Sequence, residues 1–212
     1  MNGPDDTPEA RDTMTRGSIT RVEAFSDGVL AIIITIMVLE LHAPEAEGWA
    51  PLLKLWPVFS AYLLSFVYVG IYWGNHHRLL AHARHVTNRL VWNNMALLFS
   101  LSLVPFATAY LGEHHFSRNA TLLYVGVLMV AAVFYLHLQN DIRRHGHHNE
   151  TADAYYRAMD RKGQASFLLY ATGFGLTFLS PWCGIAAAGA VAFLWFMPAS
   201  RLDRAFAACG LK

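Results

Sequence analysis

Four stretches of this chain contain no Asp, Glu, Lys or Arg: residues 55–77, 90–112, 119–140 and 163–200. At about 1.5 Å of rise per helical residue, about 20 residues cross the hydrocarbon of a bilayer. The first three stretches each fit one crossing. The fourth is too long for one, and Ser180-Pro181-Trp182 divides it into two. A further stretch, residues 21–41 (RVEAFSDGVLAIIITIMVLEL), is largely apolar and carries four charges, Arg21, Glu23 and Asp27 near its start and Glu40 near its end. The pattern predicts an all-α membrane protein with six transmembrane helices per subunit. A soluble helical protein is the alternative, but only 15% of the residues are charged, against about 25% in an average soluble chain.

The basic residues support an even number of spans. Six crossings leave only Lys54 and Arg118 on one side of the membrane, and the other 14 of the 16 Lys and Arg residues fall on the opposite side. By the positive-inside rule both termini are then cytoplasmic. The expectation is a multi-pass protein of the cell membrane, with the lipid bilayer as its surroundings and no nucleic-acid partner. Residues 1–17 are rich in Pro, Asp and Thr and read as a disordered cytoplasmic tail. Residues 18–200 form the transmembrane domain and 201–212 a second cytoplasmic tail. Cys183 and Cys209 fall on opposite sides, so they do not pair, and neither has a metal-ligand spacing.

Charges inside a span are costly and mark function by default. Glu23 also stands three residues after Thr20, the spacing of a capping box, which is a purely structural reading. In the second span Trp73, His76 and His77 share one helix face at i, i+3 and i+4. The third opens with Asn93 and Asn94, and Pro105, farther along, should kink it. Trp73, His76, His77, Asn93 and Asn94 lie at one depth with Ser26 and Asp27. Buried polar groups need partners, so a network is expected to join Ser26 and Asp27 to His76 or His77 and to Asn93 or Asn94. With His82 and His85 the same histidines resemble a metal cluster, which is the basis of a membrane-metalloenzyme alternative. The spacing has no second copy around His145, His147 and His148, and no metal or other cofactor is expected. The loop of residues 140–162 offers neither a Gly-rich phosphate loop nor a nucleophile–base pair, so no enzyme activity is read.

At about 100° per residue, Ile36 and Leu39 fall within about 40° of Ile32, and Thr35 lies about 60° to one side. Glu23 and Asp27 point the opposite way. Ile32, Ile36 and Leu39 therefore form a narrow apolar stripe. Periodicity alone leaves it either as the wall of an ion pathway or as ordinary packing inside the bundle.

RVEAFSDG resembles the R-x-x-x-F-S-D signature of the endo-lysosomal potassium channel family called transmembrane protein 175, at Arg21, Phe25, Ser26 and Asp27. The likeness continues through IYWGNHHR at the end of the second span, WNN in the third, and Pro105-Phe106. The resemblance implies a potassium-favouring cation channel without the TVGYG-like filter of other potassium channels, and this chain has no such loop. It implies first helices that surround a central pore, with rings of bulky apolar side chains as the constriction, here Ile32, Ile36 and Leu39, and the Thr35 hydroxyl beside them. A single signature implies a homotetramer, because one helix cannot enclose a pore and copies around an axis can. Arg21, Phe25, Ser26, Asp27, Trp73, His76, His77 and Asn93 would form the structural polar layer. A proton-coupled cation transporter, or a proton leak through the same pore, is the competing function suggested by Asp27 and the histidines.

Overall fold

The computed structural model describes residues 8–145 and 150–196, all in helices, turns or short connections. Eight helices follow in order: α1 (Pro8–Leu39), α2 (Trp49–Lys54), α3 (Trp56–Leu80), α4 (Asn88–Ser102), α5 (Val104–Glu113), α6 (Arg118–His145), α7 (Glu150–Leu176) and α8 (Pro181–Phe196). Residues 1–7, 146–149 and 197–212, with His147, His148, Cys209 and the C-terminal tail, lie outside the described residues.

Among the described residues four segments are long and apolar enough to cross a membrane: Gly17–Leu39, Trp56–Leu80, Asn88–Glu113 and Arg118–His145. The remaining apolar region differs from two clean spans. Helix α7 starts in charged sequence and carries its uncharged part only from residue 163, whereas α8 is a short apolar helix of 16 residues.

Helix α1 also departs from expectation. It begins at Pro8 rather than near residue 18, so residues 8–17 are helical and not a tail without structure. Proline is well placed in a first helical turn because its missing N–H would be unpaired there anyway. With 32 residues, α1 is about 48 Å long at 1.5 Å per residue. The segment after it contains the short helix α2.

Pro105 divides the third apolar stretch. Helix α4 is capped by Thr87, whose hydroxyl accepts from the Leu90 amide at 3.0 Å, and it ends at Ser102. Helix α5 restarts at Val104, with Pro105 in its first turn. Proline has no N–H to give to the carbonyl four residues back, and this missing bond accounts for the break. At the far end of α5, Gly112 lies against α3: a Cβ there would stand 2.7 Å from the Val58 Cα. The turn from α5 to α6 places His115 and Phe116 at φ 48° and 56°. The buried Phe116 ring stacks between Trp56 and Trp182 at 5.9 and 5.3 Å, tying this turn to α3 and α8.

The helices pack mainly as α4 on α6, α7 on α8, α3 on α5 and α6 on α7, and α1 leans on α3, α4 and α5. The centre is unusually rich in hydroxyls. Thr108 Oγ1 lies 2.6 Å from Ser65 Oγ, Ser65 Oγ lies 3.0 Å from Tyr124 Oη, and Tyr170 Oη donates to Tyr68 Oη at 3.1 Å. All five are buried. Each hydroxyl therefore meets another polar atom, as buried polar groups must.

Candidate functional site: the two faces of the first helix

Helix α1 presents two faces of opposite character. Ser26, Leu30, Ile33 and Met37 are at most 2% exposed and turn into the subunit. Phe25, Ile32, Ile36 and Leu39 are 52%, 57%, 40% and 74% exposed. The alternation follows from the 3.6-residue period, which puts neighbours such as Ile32 and Ile33 on different sides. Thr35 is exposed with the second group, and its hydroxyl donates to the Ile32 carbonyl at 2.8 Å. That back-bond satisfies the hydroxyl locally.

The inward face is fixed by side chains from α3 and α4. A buried neutral chain comes first. Ser26 Oγ donates to the Val22 carbonyl at 2.8 Å, Asn94 Nδ2 donates to Ser26 Oγ at 3.0 Å, and Asn94 Oδ1 lies 2.7 Å from His76 Nε2. Ser26, His76 and Asn94 are each at most 2% exposed. Nearer the edge two more contacts join α1 to α3. The Trp73 indole N–H donates to Asp27 at 3.0 Å, and His77 Nδ1 meets Glu23 Oε1. Both carboxylates are thus held by the subunit and turned away from the Ile32 stripe.

The structure brings Ser26, Asp27, Trp73, His76 and His77 together, but Asn94 and not Asn93 completes the layer. Asn93 is half-buried and takes no part in these bonds. Helical phase distinguishes the two: Asn94 shares a face with the buried Leu97, Leu98 and Leu101. Arg21 and Phe25 are both exposed and lie along the same side of α1 as the stripe, so they stand outside the layer. The neighbouring Asn75, to which sequence gave no role, donates to the Ile71 carbonyl at 2.7 Å and accepts from Arg78 at 2.9 Å.

The histidines do not converge. His82 bonds the Arg78 carbonyl at 2.8 Å, and the His85 ring faces His145 at 6.4 Å. Among the described residues no group of three or more His, Cys, Asp or Glu is placed to hold a metal ion.

Comparison with known proteins gives this arrangement a family. The profile of the family described as "Endosomal/lysosomal potassium channel TMEM175" matches residues 21–105, which contain the whole of the α1–α3–α4 layer. A protein named as a potassium channel, from Chryseobacterium sp. (strain P1-3), is 43% identical over 192 residues, covering 90% of this chain and 97% of its own. The chain belongs to the TMEM175 family. It is a multi-pass membrane protein of a channel family, not an enzyme. The crystal structure of a homologue, from Chamaesiphon minutus, of the lysosomal potassium-selective channel TMEM175 superposes with a TM-score of 0.74 at 31% identity, over 84% of this chain and 96% of that one. Human TMEM175, named an endosomal/lysosomal proton channel, is 39% identical over 95 residues, which are 39% of this chain and 18% of the human one.

Proposed function

We propose that this TMEM175-family chain is a passive, potassium-favouring cation channel. Four copies would surround an axis, with the exposed stripe of α1 as the pore wall. One observation carries the reading: α1 is bound to its own subunit by every polar group on one face, while the opposite face leaves Ile32, Ile36 and Leu39 uncovered. A single helix cannot line a channel alone, and a cyclic assembly supplies the missing walls. Six crossings per subunit, with both termini cytoplasmic, agree with the distribution of basic residues.

The constriction is then hydrocarbon. Apolar rings shut a pore by narrowing or dewetting and admit ions when small movements let water through. Selectivity would come from ring diameter, with Thr35 as the adjoining hydroxyl, and would be weaker than that of a carbonyl filter. Purified protein in liposomes tests this: potassium efflux follows the imposed gradient, and Ile32→Ala with Ile36→Ala raises it and lowers discrimination against sodium. Wild-type protein that passes no potassium, with silent variants, would falsify the reading.

Proton permeation through the same pore is a second reading, favoured by the name of the human relative. A proton pathway moves the intravesicular pH under a potassium-free proton gradient, and the same alanine variants should enlarge that flux. Saturable flux coupled to protons would instead indicate a transporter.

A further inference from the structure

The buried chain between α1 and α4 has a direction, and the direction determines the state of His76. A backbone carbonyl can only accept, so the Ser26 hydroxyl spends its one hydrogen on Val22. Ser26 Oγ must then accept from the Asn94 amide nitrogen, which turns the Asn94 carbonyl oxygen toward His76. An oxygen there requires a hydrogen on Nε2, so the neutral ring carries its proton on Nε2 and a bare lone pair on Nδ1. Nδ1 is fully buried and has no hydrogen-bond partner among the described residues. One basic nitrogen is therefore left over inside an otherwise satisfied layer.

The charged and titratable groups around it are few. Helix α1 supplies Glu23 and Asp27, and α3 supplies His77. From α4 comes only the Asn94 amide at this point, since Arg89 near the start of that helix is paired with Asp141 of α6. Glu23 is held by His77 and Asp27 by Trp73, both at the edge of the layer. Neither carboxylate meets Nδ1.

We propose that His76 is a proton-binding latch between α3 and the first helix. A proton arriving from water on the side of the α3–α4 turn adds to Nδ1 and leaves the Nε2–H bond to Asn94 intact. The new buried cation lacks a counter-ion, and burying an unpaired charge is costly. The carboxylates that can neutralise it sit on α1, on the face turned into the subunit, so proton uptake draws the near end of α1 toward α3. Uptake of the proton and displacement of α1 are one event, and each favours the other by the same factor. If α1 lines the pore, this displacement is away from the axis, and acid on that side increases conduction. That last step rests on the proposed channel reading; the protonation of Nδ1 does not.

Nitrogen NMR of 15N-histidine-labelled full-length protein in nanodiscs tests the latch without any flux. At neutral pH the His76 signals, assigned by their loss in His76→Gln, should show a protonated Nε2 and a bare Nδ1. Acidification should protonate Nδ1, and Glu23→Gln with Asp27→Asn should move that transition to lower pH. A neutral ring protonated on Nδ1, or a transition indifferent to both carboxylates, overturns the proposal. In liposomes, lowering the pH on the α3–α4 side from about 7.5 to about 4.5, which extends well below the ordinary histidine range, should raise flux at least about threefold. His137→Gln, at an exposed histidine on α6 outside the layer, should retain that response, and a response as large in His76→Gln would overturn the coupling. Should His76→Gln not assemble, assignment passes to wild-type through-bond correlations and the NMR arm still decides. A wild-type protein with the expected NMR behaviour and no ion flux would refute the channel reading alone.

Discussion

Ile32 and Ile33 are consecutive, chemically identical and placed in opposite surroundings. Ile33 packs with Leu30 and Met37 inside the subunit, and Ile32 lies open with Ile36 and Leu39. In a bilayer apolar side chains gain little by leaving lipid for protein, so hydrophobicity does not choose which isoleucine turns inward. The polar groups choose. Beyond α1 itself, Glu23, Ser26 and Asp27 find their partners on α3 and α4, and satisfying them sets the rotation of the entire helix. The apolar stripe is therefore presented by residues that are not part of it.

Substitutions can break this contrast at several strengths. Ile33→Ala should cost the most stability, about 2–4 kcal/mol, because it leaves a cavity in packed surroundings; thermal unfolding in detergent measures it. Asn94→Ala removes both middle bonds of the buried chain and strands His76 Nε2 and Ser26, for about 2 kcal/mol, and should yield fewer intact oligomers on size exclusion. Trp73→Phe keeps the ring and deletes only the bond to Asp27, a loss of about 0.6–1.7 kcal/mol for a hydrogen bond of this kind in a membrane protein. Ile32→Ala should change stability least, by under about 0.5 kcal/mol, while raising ion flux several-fold in liposomes. A stability loss at Ile32 equal to that at Ile33 would erase the distinction between the faces.

Much of this was legible in the sequence because membranes restrict the options. Long uncharged stretches announce helices, and Pro105 announces the break between α4 and α5. The stripe of Ile32, Ile36 and Leu39 follows from helical period alone. The choice between Asn93 and Asn94 needed the phase of α4, which its buried Leu97, Leu98 and Leu101 already carry. Arg21 and Phe25 belong to the same signature as Ser26 but to a different side of the helix, a separation that a linear motif conceals. The start of α1 at Pro8 escaped because charged, turn-prone residues read as a tail when the long helix they extend is ignored. The hydroxyl cluster of Ser65, Tyr68, Thr108, Tyr124 and Tyr170 escaped because single tyrosines and serines in apolar spans look unremarkable until four helices bring them together.

The partners of α1 lie far along the chain: Trp73 is 46 residues beyond Asp27, His77 is 54 beyond Glu23, and Asn94 is 68 beyond Ser26. During synthesis the first helix emerges before α3 and α4 can pack against it. Its carboxylates must wait in the headgroup region, where water and snorkelling keep them solvated. Only when the third and fourth helices arrive can the first settle to its final depth and rotation. The helix that precedes its partners is thus among the last to be fixed in place, and faulty insertion of α4 would leave the exposed stripe without a defined direction.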